Sequence, residues 1–219
     1  MHFESVKLPS YTKGEELFNT ISHAAGIVLG VVAFILFWHK STDTAGYAGA
    51  LIYSLAIVTL YTGSTVYHAL SPGLIKKFFR VVDHAVIYIL IAGTSTTVMV
   101  VGILPHNKIF ALIMMALSLV ITVVGTVLTY ADQERFKTVQ MVLYMVLGWM
   151  CLVLIYPIYK YCENSTEFIL CVVAGGIVYT VGTTFLALGK RKRYFHSIFH
   201  LFVLAGTLIH FFGIYLYLY

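Results

Sequence analysis

Seven long apolar stretches, separated by short polar segments, dominate the pattern of the chain. Each is long enough to cross the roughly 30 Å core of a bilayer as a helix of about 20 residues. A GxxxG pair in the first stretch, Gly26 and Gly30, favours close packing against another helix. The pattern predicts transmembrane helices at about 20–38, 46–69, 81–103, 108–130, 141–159, 168–189 and 194–217. No separator is long enough for a second domain, so we expect one all-α domain over residues 1–219, with a short cytoplasmic segment over 1–19.

Composition narrows the class of protein further. Of the 219 residues, 60% are hydrophobic and 11% are charged, whereas a soluble domain has about 25% charged residues. This excludes a water-soluble globule and argues against nucleic-acid binding. The three cysteines lack the spacing of a zinc finger or a disulfide framework. We therefore expect a multi-pass protein of the cell (inner or plasma) membrane whose partners are membrane lipids, with no nucleic acid and no soluble protein partner.

Lysine and arginine predict the orientation of the bundle. If the N-terminus is cytoplasmic, all but three of the 14 basic residues fall on the cytoplasmic side; the exceptions are Lys40, Lys108 and Lys160. The positive-inside rule then places the C-terminus outside. On the same ground, the basic run at 190–193 is interpreted as a topology determinant rather than a phosphoinositide or nucleic-acid patch.

Polar residues inside the predicted spans are costly, so each is a functional hypothesis. Ser64 and His68 lie near the cytoplasmic end of the second helix, and Asp83 lies at the cytoplasmic start of the third. His196 and His200 lie at the cytoplasmic start of the seventh. The orientation was deduced without these residues, yet it brings all of them to one depth. We therefore predict a single site near the cytoplasmic face.

The spacing of these residues is typical of a metal site. His196 and His200 are separated by four residues, so both rings project from one face of a helix, and Ser64 stands in the same relation to His68. Three imidazoles with one open position are typical of catalytic zinc, which activates water. We predict Zn²⁺ bound by His68, His196 and His200, with Asp83 as the base or orienting group for water. An isolated HxxxH pair is also common in helix cores, so the prediction depends on the shared depth.

The remaining histidines within the predicted spans are not assigned as metal ligands. His84 follows the aspartate directly and points about 100° away around the helix, so we expect it at a helix contact. His23 lies at the depth of the site and either joins it or pairs with Glu15 or Glu16. His210 lies deeper in the seventh helix and is expected to be structural.

Four segments together resemble a known family. They are GEELFNTISHAAG, STVYHAL, RVVDHAVIYILIAGT and FHSIFHLFVLAGTLIHFFG, and the chain resembles the progestin and adiponectin receptor family, specifically its bacterial hemolysin III branch. The likeness extends from Glu15 to Gly213. It implies a seven-helix bundle with a cytoplasmic N-terminus and a zinc ion near the cytoplasmic face.

The resemblance also implies roles for individual residues. In the receptor branch, three histidines hold the metal and an aspartate holds its water. Carried over by motif, these positions are His68, His196 and His200, with Asp83 for the water and Ser64 beside it. The wider superfamily includes alkaline ceramidases, so the resemblance implies hydrolysis of a lipid amide or ester. Only about 19 residues precede the first predicted helix, where the receptors have a long N-terminal domain, so we do not expect adiponectin or steroid binding to carry over.

Other functions remain open at this stage. A structural zinc would brace the helices of a non-catalytic sensor or regulator of membrane state. A hemolysin-like, pore or transport activity would use the histidines and Asp83 as a proton or cation relay, although groups at a single depth do not extend across a membrane. A haem held between His68 and His200 is a further alternative.

Overall fold

The computed structural model describes residues 3–188 and 192–219. Within these residues, seven helical spans are long and apolar enough to cross a membrane. The third span continues from α3 into a π-helical segment, Met99–Ile103, and the fifth comprises two helices interrupted at Met150. The helices are α1 (Lys13–Lys40), α2 (Thr44–Ala69), α3 (Leu74–Val98), α4 (Lys108–Asp132), α5 (Lys137–Trp149), α6 (Cys151–Tyr161), α7 (Ser165–Leu188) and α8 (Phe195–Tyr217). The predicted all-α, seven-span class is confirmed.

Two helix starts were predicted too late. α1 begins at Lys13 rather than near 20, because Thr12 caps it: the Thr12 hydroxyl accepts from the Glu15 N–H, and the Glu15 carboxylate accepts from the Thr12 N–H. α3 begins at Leu74 rather than near 81. An apolar run marks the part of a helix that lies in hydrocarbon, whereas these helices begin with polar turns outside it.

The early start of α3 places three basic residues, predicted to lie in a loop, on a helix. Lys76 and Arg80 are buried there, only 3% and 4% exposed. Lys76 Nζ donates to Glu16 Oε1 on α1 at 2.8 Å. Arg80 donates to Glu134 Oε1 at 2.7 Å and also to the backbone carbonyl of Lys7. These charges therefore tie helices together in addition to any effect on topology.

Close helix packing is found where the GxxxG pair predicted it. A Cβ atom at Gly26 would lie 2.3 Å from the ring of Tyr61, and one at Gly30 would lie 2.7 Å from a methyl group of Val58. Only the missing side chains allow α1 to approach α2 this closely. α2 in turn packs against α3, and α8 packs against α7 and α1.

The residues predicted for the site all lie at one end of the bundle. The start of α1, the end of α2, the start of α3 and the start of α8 all lie there, since consecutive spans run in opposite directions. Its assignment to the cytoplasm stays a prediction. Residue 189, the predicted end of the sixth helix, and Lys190 and Arg191 of the basic run lie outside the described residues.

Candidate metal centre

Three buried histidines converge at this end of the bundle. His68 on α2 and His196 and His200 on α8 each offer one ligand atom, and the three atoms lie within 4.8 Å of one another. The Nε2 atoms of His196 and His200 are 3.0 Å apart. Two nitrogens bound tetrahedrally to one zinc, each about 2.0–2.1 Å from it, are separated by roughly 3.3 Å. The spacing is therefore close to what a shared ion requires.

The start of α8 is anchored against the start of α1. Tyr194, directly before the helix, adopts a left-handed conformation with φ 62°. Its N–H donates to Glu15 Oε1 at 2.7 Å. This bond positions the first turns of α8, and with them the two histidines of the HxxxH pair, beside α1.

A carboxylate orients His68. The ring Nδ1 lies 2.6 Å from Glu16 Oε2 and 3.4 Å from the amide nitrogen of Asn19, and in the described part of the chain Nε2 has no hydrogen-bond partner. Donation from Nδ1–H to the carboxylate leaves the Nε2 lone pair available, as in the carboxylate–histidine–zinc arrangement. Lys76 binds the other oxygen of Glu16. Neither Asn19 nor Lys76 is among the residues predicted for the site, and Glu16 is predicted only as an alternative partner of His23.

His23 joins the cluster and does not pair with either glutamate. Its ring stacks on His200 with centroids 3.7 Å apart and meets the ring of Tyr61 edge-on at 5.0 Å. Neither of its nitrogens has a hydrogen-bond partner. Glu15 and Glu16 are occupied by other groups. Of the two alternatives for His23, the structure therefore supports the first.

The segment before α1, residues 3–12, covers the histidines. Lys77 Nζ donates to the carbonyl of Glu4 at 2.5 Å, and Arg80 donates to that of Lys7. Near the end of the segment is Tyr11, whose ring stacks on His196 with centroids 5.1 Å apart and planes 17° from parallel. Sequence reasoning missed this cover, because no apolar pattern marks it.

The environment of Tyr11 connects the cover with Asp83. Burial raises the pKa of the Tyr11 phenol, and the negative charge of Asp83 raises it further. The phenol is therefore protonated at neutral pH. Asp83 lies in the first half of α3, which begins at the histidine end of the bundle.

Asp83 and Ser64 are near the histidines without bonding to them. Asp83 is partly buried on α3, and within the described residues its carboxylate makes no hydrogen bond or ion pair. Ser64 is 1% exposed and its Oγ has no hydrogen-bond partner. Their proposed roles toward a metal-bound water stay predictions.

The two remaining membrane histidines lie at helix contacts. The carbonyl of His84 accepts from the Tyr144 hydroxyl at 2.7 Å, where α3 meets α5. The ring of His210 packs on Gly175, and its Nε2 donates to the carbonyl of Val172 at 3.1 Å. Because this ring is hydrogen-bonded and closely packed, it agrees with the structural role expected for His210.

The donor set fits a metal ion and its water. Buried polar atoms in folded proteins are nearly always hydrogen-bonded, yet several at this site have no protein partner. They are Asn19 Oδ1, both nitrogens of His23, Ser64 Oγ, His68 Nε2 and His200 Nδ1. Neutral imidazoles are good zinc ligands, and a serine hydroxyl or amide oxygen can bond a metal-bound water.

An apolar cavity of about 130 Å³ begins deeper in the bundle. Leu60, Ile87 and Val203 line it, and each lies about one helical turn, or 5.4 Å, beyond a predicted site residue on the same helix. Side chains from α3, α5, α6, α7 and α8 form the rest of its wall. The histidine cluster thus lies between a polar cover and an apolar cavity.

Comparison with known proteins agrees with this arrangement. The family described as Haemolysin-III related matches residues 11–211. Hemolysin-3 of Bacillus cereus is 32% identical over 209 residues, covering 93% of this chain and 91% of that protein. The hemolysin-3 homolog of Bacillus subtilis (strain 168) is 30% identical over 210 residues, covering 94% and 96%.

A more distant relative is the human monocyte to macrophage differentiation factor. It is 26% identical over 213 residues, covering 94% of this chain and 85% of that protein. No solved structure matches the chain. With a family match over nearly its whole length and seven membrane-spanning helices, the chain is a membrane protein that belongs to the Haemolysin-III related family.

Proposed function

We propose that this protein is a zinc-dependent hydrolase of a membrane lipid amide or ester. The observation that carries the proposal is the convergence of three buried histidines at the end of the bundle beyond which an apolar cavity begins. His68, His196 and His200 would hold the ion. When bound at such a site, zinc polarises a carbonyl and brings the pKa of a bound water to about 7.

The residues around the histidines suit this chemistry. Glu16 keeps the His68 ring in the tautomer whose Nε2 faces the cluster. Asp83 is a carboxylate that forms no ion pair with any of the described residues, so it is suited to accept a proton from an attacking water. The Ser64 hydroxyl, which no protein group occupies, is suited to hydrogen-bond a carbonyl oxygen of the substrate.

The apolar cavity suits the acyl part of the substrate. If a fatty chain occupied the cavity along Leu60, Ile87 and Val203, its carbonyl group would lie about one helical turn from these residues. That position is at the histidines. Such a chain would keep water out of the lower part of the site. Tyr11 covers the opposite side, so the reacting bond would be enclosed between the two.

A non-catalytic regulator is the second candidate, because the histidines come from different helices. His68 lies on α2, whereas His196 and His200 lie on α8. A metal bound by all three would fasten these helices together without any reaction. This candidate shares every metal-binding expectation and differs only in turnover.

The other two alternatives gain no support from the geometry. The rings of His68 and His200 meet edge to face with centroids 4.8 Å apart, which leaves no room for a porphyrin between them. The polar cluster ends at the apolar cavity, so it does not form a relay across the membrane.

The test combines metal analysis with a turnover assay on the full chain purified in detergent. Zinc is measured by mass spectrometry, and fatty acid release is measured from N-acyl and O-acyl lipids. We expect about one zinc per chain, lost together with turnover in His196→Ala and retained in His39→Ala, an exposed histidine at the opposite end. Zinc binding without release from any acyl lipid would support the regulator, and zinc retained in His196→Ala would refute the site.

A further inference from the structure

A second, polar cavity opens beside the covered histidines. It has a volume of about 720 Å³ and is lined by residues 7–12 of the N-terminal segment and by residues of α1, α3, the α4–α5 connection and the segment before α8. Four of the lining residues are basic: Lys7, Arg80, Lys192 and Arg193. None of them belongs to the proposed metal site, and the function proposed above uses none of them.

The acidic residues of this cavity are already engaged. Glu15 accepts bonds from the N–H groups of Thr12 and Tyr194, and Glu134 pairs with Arg80. The two carboxylates offset two of the four basic side chains, so the lining of the cavity keeps an excess of two positive charges. Lys7, Lys192 and Arg193 are exposed, and in the described part of the chain none of them forms an ion pair with a carboxylate.

An excess of positive charge around one space attracts an anion. Charge of one sign collected around a cleft raises the local concentration of groups of the opposite sign. Lysine and arginine are the side chains that bind phosphate, through charge-assisted hydrogen bonds. The cavity is also large enough to admit a phosphate together with the group that carries it.

The position of the cavity points to the surface of the membrane. Its walls are the residues directly before α1 and α8, at the end of the bundle that the positive-inside rule assigns to the cytoplasm. Basic pockets at this level are suited to the head groups of anionic lipids. Tyr11 lines the cavity and also stacks on His196, so a bound phosphate would lie on the other side of that ring from the histidines.

We infer that this cavity is a binding site for a phosphate group, carried either by an anionic phospholipid or by a soluble phosphate ester. The inference does not depend on metal binding or on turnover. It also assigns Lys192 and Arg193 a role beyond the topology function predicted from the sequence.

The test measures lipid and phosphate binding to the full chain in detergent by native mass spectrometry and by titration. The ligands are a short-chain phosphatidate, the diacylglycerol with the same acyl chains, and glycerol 3-phosphate. The variant is Lys7→Gln with Arg193→Gln. Its matched control is Lys13→Gln with Lys137→Gln, which removes the same charge from exposed residues at the same end of the bundle but outside the cavity.

We expect phosphatidate to bind to the wild type and the control more tightly than diacylglycerol does, and about tenfold more weakly to the cavity variant. The exchange Lys7→Arg with Arg193→Lys should retain binding, which separates lost charge from misfolding. Competition by glycerol 3-phosphate would identify a soluble ester as a ligand, and its failure would identify a lipid. Equal binding by the cavity variant and the control, or by phosphatidate and diacylglycerol, would overturn the inference.

Discussion

The helices that carry the three predicted ligands, Asp83 and Ser64 differ in burial from α4 and α7. In the apolar stretches of α2, α3 and α8, 56%, 56% and 50% of the residues are buried, against 22% in α4 and 11% in α7. The three predicted ligands, Asp83 and Ser64 all lie on the first group. In a membrane, where lipid is as apolar as leucine, a polar residue rather than an apolar one marks the inward face of a helix.

The two ends of α8 show the same contrast within one helix. At one end, His200 Nδ1 is buried without a hydrogen-bond partner, and its Nε2 faces His196. At the other end, His210 donates to a backbone carbonyl and packs on a glycine. A buried histidine is thus structural when the protein satisfies it, and it is a candidate ligand when several unsatisfied nitrogens converge.

Alanine substitution on α8 gives the sharpest version of this comparison. We expect His200→Ala to abolish zinc binding, because two imidazoles do not replace the three that a tight site requires. His210→Ala removes a packed ring from the same helix and should retain about one zinc per chain. Zinc content measured by mass spectrometry distinguishes them, and zinc loss in both variants would indicate that the fold rather than the cluster holds the metal.

Asp83→Asn separates metal binding from catalysis. The amide keeps the shape of the side chain but cannot accept a proton, so turnover should fall by about 10²–10⁴ while zinc is retained. The control is Asp132→Asn, an exposed carboxylate at the same end of the bundle. Rates are measured on whichever acyl lipid the wild type cleaves, and an unchanged rate would remove Asp83 from the proposed mechanism.

Glu16→Gln tests whether the carboxylate that orients the His68 ring strengthens metal binding. Loss of the carboxylate that orients the ring should weaken zinc affinity by about 10–100-fold, measured by competition with a chelator. The control Asp132→Asn removes the same charge from an exposed carboxylate at the same end of the bundle, at the end of α4. It should leave zinc affinity unchanged, and an equal loss in both variants would show that the net charge at this end is responsible.

Two glycine substitutions compare the tight contact between α1 and α2 with a loosely packed position on α5. Gly26→Ala introduces a Cβ 2.3 Å from the Tyr61 ring and should lower the free energy of unfolding by about 1–3 kcal/mol. Gly148→Ala introduces one where no atom lies within 4 Å, so it should be neutral or stabilise the helix by up to about 1 kcal/mol. Denaturation in mixed micelles measures both, and equal effects would contradict the difference in packing.

The sequence by itself determined the seven spans, the all-α class and the three histidines that converge. These follow from local rules: apolar length sets the number of spans, and the spacing in the HxxxH pair of α8 puts two rings on one face. The alternation of span direction then placed His68 at the same depth as His196 and His200. Periodicity was less informative at helix ends, where the polar first turns of α1 and α3 carry no apolar signal.

Only the tertiary structure decided which groups surround the histidines. Glu16, Asn19 and His23 reach the site because α1 packs closely on α2, and Tyr11 reaches it because α3 binds the segment before α1. The phosphate-binding cavity likewise combines residues from opposite ends of the chain. Periodicity and spacing report which face of one helix is polar, but a contact between two helices depends on their rotation and separation, which are set by side chains packing across the whole bundle.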